Sequence, residues 1–343
     1  MVMQASLGGA FAQRFDRKSV EKLNKVLAGR IVDYTANHGF DNQFPSKILG
    51  GKRDMYVYLP PHYDSCRAYP LLLWLHGGFG DEHAFLDSVN VPALDQMIQK
   101  GCCPPFILVC PDGTYRGRDS LFSTHSFYAN GRGGRFEDHI MCEVLPFLMS
   151  RYRILPQREA HVVAGVSAGG TGAMSMALYH RDFFSGVASV SGGLNLMYDN
   201  LDHDFFQDFS PLTYRWKAEY QPREVIGKFA KNLIRVKAQS FIRPVFGENP
   251  GIEQRIIRWN PAHVLSSTNL QPGELAMFIR YGKKDNLNFD AQNESFIWLA
   301  RQRRIHIDVE IDPEGYHDIQ FFKSSSPAVY RWVGRHFQNI LLK

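Results

Sequence analysis

Residues 161–172 read HVVAGVSAGGTG, and this stretch determines the fold that we expect. His161 to Gly165 form an apolar run typical of a buried strand, and Gly169 to His180 have the small-residue composition of a close-packed helix. Between them, Gly165-Val166-Ser167-Ala168-Gly169 matches G-x-S-x-G, in which a serine hydroxyl projects from a sharp strand-to-helix turn. We therefore predict that Ser167 is a nucleophile. The alternative, a glycine-rich turn that serves packing alone, is weakened by the strand and helix on its two sides.

Short apolar runs alternate with helical segments on both sides of this turn. We predict strands at 55–59, 71–75, 106–110, 186–190, 275–281 and 305–311, and helices at 92–100, 136–152, 288–303 and 327–342. Strands separated by helices imply a largely parallel sheet that is covered on both faces. Residues 1–50 are less organised, and we interpret them as an N-terminal extension of an α/β domain spanning 51–343. Residues 195–265 break the alternation, and we predict a helical insertion there that forms a lid or cap, with 224–239 as one of its helices.

The sequence His76-Gly77-Gly78-Phe79-Gly80 directly follows the apolar run 71–75. Acyl transfer builds negative charge on a carbonyl oxygen, and two preorganised N–H groups have to point at it. In hydrolases with a serine at such a turn, one donor is the residue after the nucleophile and the other lies in an early glycine-rich loop. We therefore predict an oxyanion hole formed by the N–H groups of Ala168 and Phe79, with Gly78 as the alternative to Phe79.

A serine nucleophile needs a histidine base, which follows it in the chain in hydrolases of this kind. His317 lies in a polar loop, Glu314 to Asp318, just after the predicted strand 305–311. From a strand end of this kind a base can reach the serine turn, so we predict that His317 is the base. The other histidines more than ten residues after Ser167 lie in the insertion, at the start of a strand or in helices: His180, His203, His263, His306 and His336.

The base in turn needs a carboxylate that orients it. Asp285 follows the predicted strand 275–281, and it lies 32 residues before His317, which leaves room for one helix and one strand. We predict Asp285 as this acid. Asp290 is the alternative, although we expect it on the following helix.

These stretches together resemble the putative esterase family, which includes esterase D-like enzymes, feruloyl and acetylxylan esterases, enterochelin esterases and mycolyltransferases. The resemblance rests on RDMYVYLPPHY, YPLLLWLHGGFGD, FEDHIMCEVLPF, VAGVSAGGTG, GKKDN and GYHD, which together span residues 53–318. It implies an α/β-hydrolase fold with a triad of Ser167, Asp285 and His317 and an oxyanion hole of Phe79 and Ala168. Residues 1–50 and 195–265 match no pattern of this family.

The function that the resemblance implies is that of a serine carboxylic ester hydrolase that works through an acyl-enzyme intermediate. Its substrate would be a small-molecule or carbohydrate ester, such as an acylated carbohydrate or an aryl ester of the feruloyl type. Two alternatives stay open. The same triad could transfer the acyl group to an alcohol, or the fold could serve as a non-catalytic binding protein.

Composition excludes several other classes of function. Of the 343 residues, 44% are hydrophobic and 21% charged, and the formal charge is only +5 without a run of five Lys or Arg, which argues against nucleic acid as a partner. No apolar run of 18 residues indicates a membrane span, and residues 1–15 lack the basic start of a signal peptide, which slightly favours the cytoplasm. The five cysteines have no metal-ligand spacing, so we predict reduced thiols and neither a metal nor a cofactor.

Overall fold

The computed structural model describes residues 19–78, 80–86, 90–115, 125–229 and 233–341. Eight strands form its central sheet, numbered here along the chain: β1 Arg30–Tyr34, β2 Met55–Leu59, β3 Leu71–Leu75, β4 Ile107–Pro111, β5 His161–Val166, β6 Gly186–Val190, β7 Ala276–Gly282 and β8 Asp308–Asp312. Their order in the sheet is β1-β2-β4-β3-β5-β6-β7-β8. β2 runs antiparallel to β1 and β4, and the other neighbours are parallel. The prediction of a mostly parallel central sheet is confirmed.

Helices cover both faces of this sheet. On β3, Leu71 and Leu73 belong to one hydrophobic core, and Leu72 and Trp74 to the other. Successive side chains of a strand point to opposite faces, so a continuous apolar run requires cover on both sides. One face packs against Ala168–Tyr179, Phe289–Gln302 and the consecutive segments Ile140–Val144 and Leu145–Arg151, which continue the short helix Phe136–His139. The other face packs against Asn90–Gln99 and Ile319–Leu341.

Outside the insertion between β6 and β7, the described part of the chain also contains shorter elements. They are the helix Ser19–Val26, the 3₁₀ turns Glu82–Leu86 and Arg158–Ala160, and the strand pairs Phe44–Ser46 with Gly51–Arg53 and Asn130–Gly131 with Gly134–Arg135. Among the described residues, no helix has the length and apolar character that a membrane span requires. The five cysteines are unpaired.

Part of the predicted N-terminal extension belongs to the central sheet. The strand β1 pairs along its whole length with β2, from Arg30 opposite Leu59 to Tyr34 opposite Met55. Only one of its five residues is fully buried, because it lies at the sheet edge, and this weak apolar pattern explains why sequence reasoning did not find it. The rest of the predicted division, into an N-terminal extension at 1–50 and an α/β domain at 51–343, stays a prediction.

The insertion between β6 and β7 contains helices and also two hairpins. The helices are Ala238–Phe246, Ile252–Trp259 and Pro261–Ser267, and the hairpins pair Tyr198–Asn200 with Tyr214–Trp216 and Val225–Phe229 with Ile234–Lys237. The predicted helix at 224–239 is therefore wrong. Its residues include the β-branched Val225, Ile234 and Val236. The residues Ile234–Lys237 alternate apolar and basic side chains, which favours a strand exposed on one face.

The carboxylate of Asp95 fastens β1 and the segment before it to the body of the protein. It lies in the helix Asn90–Gln99, is 2% exposed, and accepts hydrogen bonds from the N–H groups of Ala28 and Gly29 at 3.0 and 2.7 Å. The Tyr58 hydroxyl and the Gln99 amide also donate to it, at 2.8 and 2.7 Å.

We expect Asp95→Ala to lower the free energy of unfolding by about 3 kcal/mol, since it removes the acceptor of four hydrogen bonds, one of them from the buried Tyr58 hydroxyl. Urea denaturation of the purified variant measures this change. Gln99→Ala, which removes a single donor, serves as the matched control and should lower the value by about 1 kcal/mol or less. Equal effects of the two substitutions would contradict the anchoring role of Asp95.

Candidate active site

Ser167 adopts a backbone conformation that few residues other than glycine adopt. Its φ is 53° and its ψ −121°, at the junction of β5 and the helix Ala168–Tyr179. Such a conformation stores strain and persists only where the surrounding structure enforces it. Here the Ser167 N–H donates to the carbonyl of Val190 at 2.8 Å, and the Ser167 carbonyl accepts from the Thr171 N–H at 3.0 Å. The turn is therefore the sharp elbow that the sequence predicts.

The two glycines of the motif permit this turn because the backbone passes through a narrow space. A Cβ atom on Gly165 would lie 2.4 Å from the carbonyl oxygen of Gly169, and one on Gly169 would lie 2.2 Å from that of Leu75. No side chain fits at these distances. The glycines thus let the helix start directly against the ends of β3 and β5.

Three of the predicted site residues are joined by hydrogen bonds. Ser167 Oγ lies 2.8 Å from His317 Nε2, and His317 Nδ1 lies 2.8 Å from Asp285 Oδ2. A carboxylate accepts, so Nδ1 carries the proton and Nε2 presents its lone pair to the serine hydroxyl. The Asp285 side chain is fully buried, and that of His317 is 9% exposed. The arrangement can remove a proton from Ser167 and stabilise the imidazolium that results.

Close backbone contact between the loops after β7 and β8 positions Asp285 and His317. A Cβ atom on Gly282 would lie 2.2 Å from the Gly315 carbonyl oxygen, which shows how tightly the loops pack. The Leu287 N–H donates to Asp285 Oδ1 at 2.9 Å and fixes the carboxylate. The imidazole of His317 is held edge-on by Phe289 and Phe322, with ring centroids 5.1 and 5.0 Å away.

The structure brings the alternative residues to other places. Asp290 contacts Lys283, with 3.6 Å between Oδ2 and Nζ. His336 Nε2 lies 2.8 Å from Ser185 Oγ, and the ring of His263 packs 3.8 Å from that of Trp216. His180 pairs with Glu137, His203 with Asp199, and His306 with Asp308.

Of the predicted oxyanion-hole residues, Ala168 lies within the described residues and Phe79 lies outside them. Ala168 is the first residue of its helix, so its N–H has no acceptor within the helix. A Cβ atom on Gly78 would lie 3.9 Å from the Cβ of Ala168, which places the glycine-rich loop beside the elbow. The pairing of Phe79 with Ala168 stays a prediction.

Tyr128, which sequence reasoning did not select, anchors this loop. Its hydroxyl accepts from the His76 N–H at 3.1 Å and donates to the Pro111 carbonyl at 3.2 Å. The Nε2 atom of His76 accepts from the Gly113 N–H at 2.9 Å. No sequence signal identifies Tyr128, because its role depends on contacts between distant parts of the chain.

Asp81, Glu82 and His83 form the one group within the described residues whose ligand atoms lie close enough to hold a metal ion, within 4.8 Å of one another. His83 Nδ1 lies 3.0 Å from Asp81 Oδ1, and Glu82 Oε1 accepts from the Asn37 amide at 2.8 Å. Burial, reinforced by the charges of Asp81 and other carboxylates, raises the pKa of Glu82 well above its ordinary value. These contacts satisfy the group as a hydrogen-bonded network, and we assign it no ion.

A largely apolar cavity lies over Ser167, between the body of the protein and the insertion. Phe127, Ala168 and Phe289 line it from the body, and Met197, Phe241 and Ile242 from the insertion. Sequence reasoning predicted a lid or cap at 195–265 but not which of its residues face Ser167. The three-dimensional course of the insertion decides this, and the sequence pattern does not reveal that course.

The eight-stranded sheet, the serine elbow after β5, and the hydrogen-bonded Asp285 and His317 after β7 and β8 define the fold of an α/β-hydrolase. The profile of the family described as "Putative esterase" matches residues 46–339. The chain therefore belongs to this esterase family, and the family resemblance predicted from the sequence is confirmed.

Curated relatives and solved structures agree with this assignment. Esterase Rv1288 of Mycobacterium tuberculosis is 30% identical over 173 residues, which cover 50% of this chain and 36% of the relative. The match thus spans about a third of that protein. A ferulic acid esterase structure is 20% identical with a TM-score of 0.63, covering 90% of this chain and 99% of that one. The S-formylglutathione hydrolase of Agrobacterium tumefaciens is 14% identical with the same TM-score, covering 90% and 95%. At these identities the structures support the fold alone.

Burial gives Asp290 a pKa of about 7, despite the nearby Lys283, and the charge of Asp285 contributes to this shift. A carboxyl whose pKa is higher in the folded than in the unfolded state makes its full contribution to stability when the pH is below the pKa of the unfolded state, near 4. This contribution disappears as the pH rises towards 7.

The side chain of Asp290→Asn is neutral at every pH. We therefore expect the melting temperature of this variant, relative to that of wild type, to be about 2–4 °C higher at pH 8 than at pH 4.5. Lys283 keeps Glu294 as a partner at 2.9 Å in this variant. Thermal melts of both proteins at pH 4.5, 6 and 8 provide the test. A difference in melting temperature that does not change with pH would show that Asp290 titrates as an ordinary carboxyl.

Proposed function

We propose that this protein hydrolyses carboxylic esters through an acyl-enzyme intermediate on Ser167. The observation that carries the proposal is the hydrogen-bonded series from Ser167 Oγ through His317 to Asp285, at 2.8 Å for each step. Membership of the esterase family supports the same reaction. An intact triad also disfavours a non-catalytic binding protein, because such a protein has no need for all three side chains.

In the first half of the reaction, Ser167 Oγ attacks the ester carbonyl carbon while its proton moves to His317 Nε2. Asp285 stabilises the imidazolium through the proton on Nδ1. The N–H of Ala168, at the positive end of its helix, and a second N–H from the loop 77–80 stabilise the charge on the carbonyl oxygen. The C–O bond to the alcohol then breaks, and the alcohol leaves with the proton from Nε2.

In the second half, a water molecule replaces the alcohol. It loses a proton to His317 Nε2 as it attacks the acyl carbon, and the bond to Ser167 Oγ breaks when this proton returns to the serine. The products are a carboxylic acid and free enzyme.

For the substrate we propose an aryl ester of the feruloyl type or an acylated carbohydrate. The phenylalanine-rich cavity over Ser167 supports this choice, because aromatic side chains pack well against an aromatic acyl group. A solved structure with the same fold, a ferulic acid esterase of Anaeromyces mucronatus in complex with ferulic acid, supports it as well.

Ser167→Ala should lower kcat by about 10⁶-fold, as removal of a triad serine does in other hydrolases. The assay is hydrolysis of p-nitrophenyl acetate, butyrate and octanoate, methyl ferulate and acetylated xylan. Ser150→Ala, which removes an exposed serine hydroxyl from a helix, is the matched control and should retain wild-type rates. A wild-type protein that hydrolyses none of these esters and takes no label from a fluorophosphonate would overturn the proposal.

Asp285→Asn should lower kcat by about 10⁴-fold, because an amide at this position favours the wrong tautomer of the base. Asp290→Asn provides a control of the same chemistry five residues away, and we expect its kcat at pH 7 to stay within about threefold of wild type, as for an ion pair outside the triad. If Asp290→Asn lost more activity than Asp285→Asn, the assignment of the acid would be wrong.

A further inference from the structure

One side of the cavity over Ser167 is polar, and a single segment of the insertion forms most of it. Lys217, Tyr220 and Glu224 all line the cavity and lie between the two hairpins. Lys217 and Glu224 form an ion pair, and their side chains are only 9% and 21% exposed. A largely buried ion pair beside an apolar cavity requires a reason, because taking two charges out of water is unfavourable.

Two oxygen atoms of the cavity-lining residues have no hydrogen-bond partner within the described part of the chain. They are the hydroxyl oxygen of Tyr220 and the amide oxygen of Gln292, a residue that is 2% exposed. Burial raises the pKa of Tyr220 to about 12, so its hydroxyl remains a donor at neutral pH. Buried polar atoms are almost always paired, and an unpaired one at a cavity is an unused binding group.

The chemistry of these groups selects the ligand. Tyr220 and the Lys217 ammonium donate hydrogen bonds, whereas the Glu224 carboxylate and the Gln292 oxygen accept them. An anion is disfavoured because it would lie against two acceptors, and a cation is disfavoured because it would lie against the Lys217 ammonium. A hydroxyl group both donates and accepts, and it carries no charge. An alkyl group would leave both oxygens unpaired.

We infer that this polar side of the cavity binds a hydroxyl group carried by the apolar part of the ester substrate. This rests on the proposed function, and it narrows the substrate class to esters whose apolar body, seated against Phe241 and Ile242, bears a hydroxyl away from the ester bond. Tyr220 also lines an open groove on the insertion together with Glu219 and Glu253, so the hydroxyl-binding side adjoins solvent.

Matched ester pairs test the inference, because a methyl group replaces the hydroxyl at constant size. The acyl pairs are the p-nitrophenyl esters of 6-hydroxyhexanoate and heptanoate, and of 3-(4-hydroxyphenyl)propanoate and 3-(4-methylphenyl)propanoate. The alcohol pair is 6-hydroxyhexyl and heptyl acetate. We expect wild type to favour the hydroxylated member of at least one pair by about 10-fold in kcat/KM, and the pair concerned identifies which part of the ester enters the cavity.

Tyr220→Phe and Gln292→Met should each lower this preference about fivefold, since the first removes the hydroxyl and the second the whole amide group, and both keep the side-chain size. Tyr220→Phe removes a hydroxyl without a partner, so its melting temperature should not fall. Tyr214→Phe is the control. Its hydroxyl accepts from Asn195 at 3.0 Å and lies outside the cavity lining, so it should lose stability and keep the preference.

The outcomes separate the two proposals. Wild type that hydrolyses the esters without favouring any hydroxylated member overturns this inference and leaves the proposed function standing. A preference that survives both Tyr220→Phe and Gln292→Met overturns the assignment of these residues. Wild type that hydrolyses no ester, and takes no label from a fluorophosphonate, overturns the proposed function and the inference with it.

Discussion

The contact between the elbow glycines and the carbonyl groups around them is the constraint on which the site depends. Gly169 lies so close to the end of β3 that a methyl group would overlap the Leu75 carbonyl. This contact fixes where the helix Ala168–Tyr179 begins, and it forces the unusual φ of Ser167. The serine hydroxyl, the N–H of Ala168 and the glycine-rich loop after β3 are neighbours for this reason. Packing energy from two hydrophobic cores offsets the strain stored at the turn.

Sheet topology brings the other two residues to the same place. β5, β7 and β8 run parallel, so their carboxyl ends lie on the same side of the sheet. The loops that follow these strands meet there. Gly282 and Gly315 permit close contact between the last two loops, and Asp285 and His317 follow them by three and two residues. Ser167 and His317, which are 150 positions apart in the chain, thus reach hydrogen-bonding distance without the need for a long, extended side chain.

Local patterns predicted much of this arrangement, since the motif, the strand ends and the chain order of nucleophile, acid and base are all visible in the sequence. The meeting of Ser167, His317 and Asp285 follows from them, and their catalytic roles stay a prediction. The strand β1 was missed because an edge strand buries little. The strands Val225–Phe229 and Ile234–Lys237 resemble a helix in the sequence because only the second alternates apolar and basic side chains, and it does so over only four residues. Tyr128, Tyr220 and Gln292 could not be predicted, since their roles arise only from contacts between distant segments.

The attachment of β1 by Asp95 also protects the sheet. Without β1, the outer side of β2 would present a row of unpaired N–H and carbonyl groups, flanked by the buried aromatic residues Tyr56 and Tyr58. An open edge of this kind is a template for pairing with another chain. Residues 30–34 therefore shield an aggregation-prone edge, and a shortened chain that starts at residue 51 would lose solubility before it lost any group of the active site.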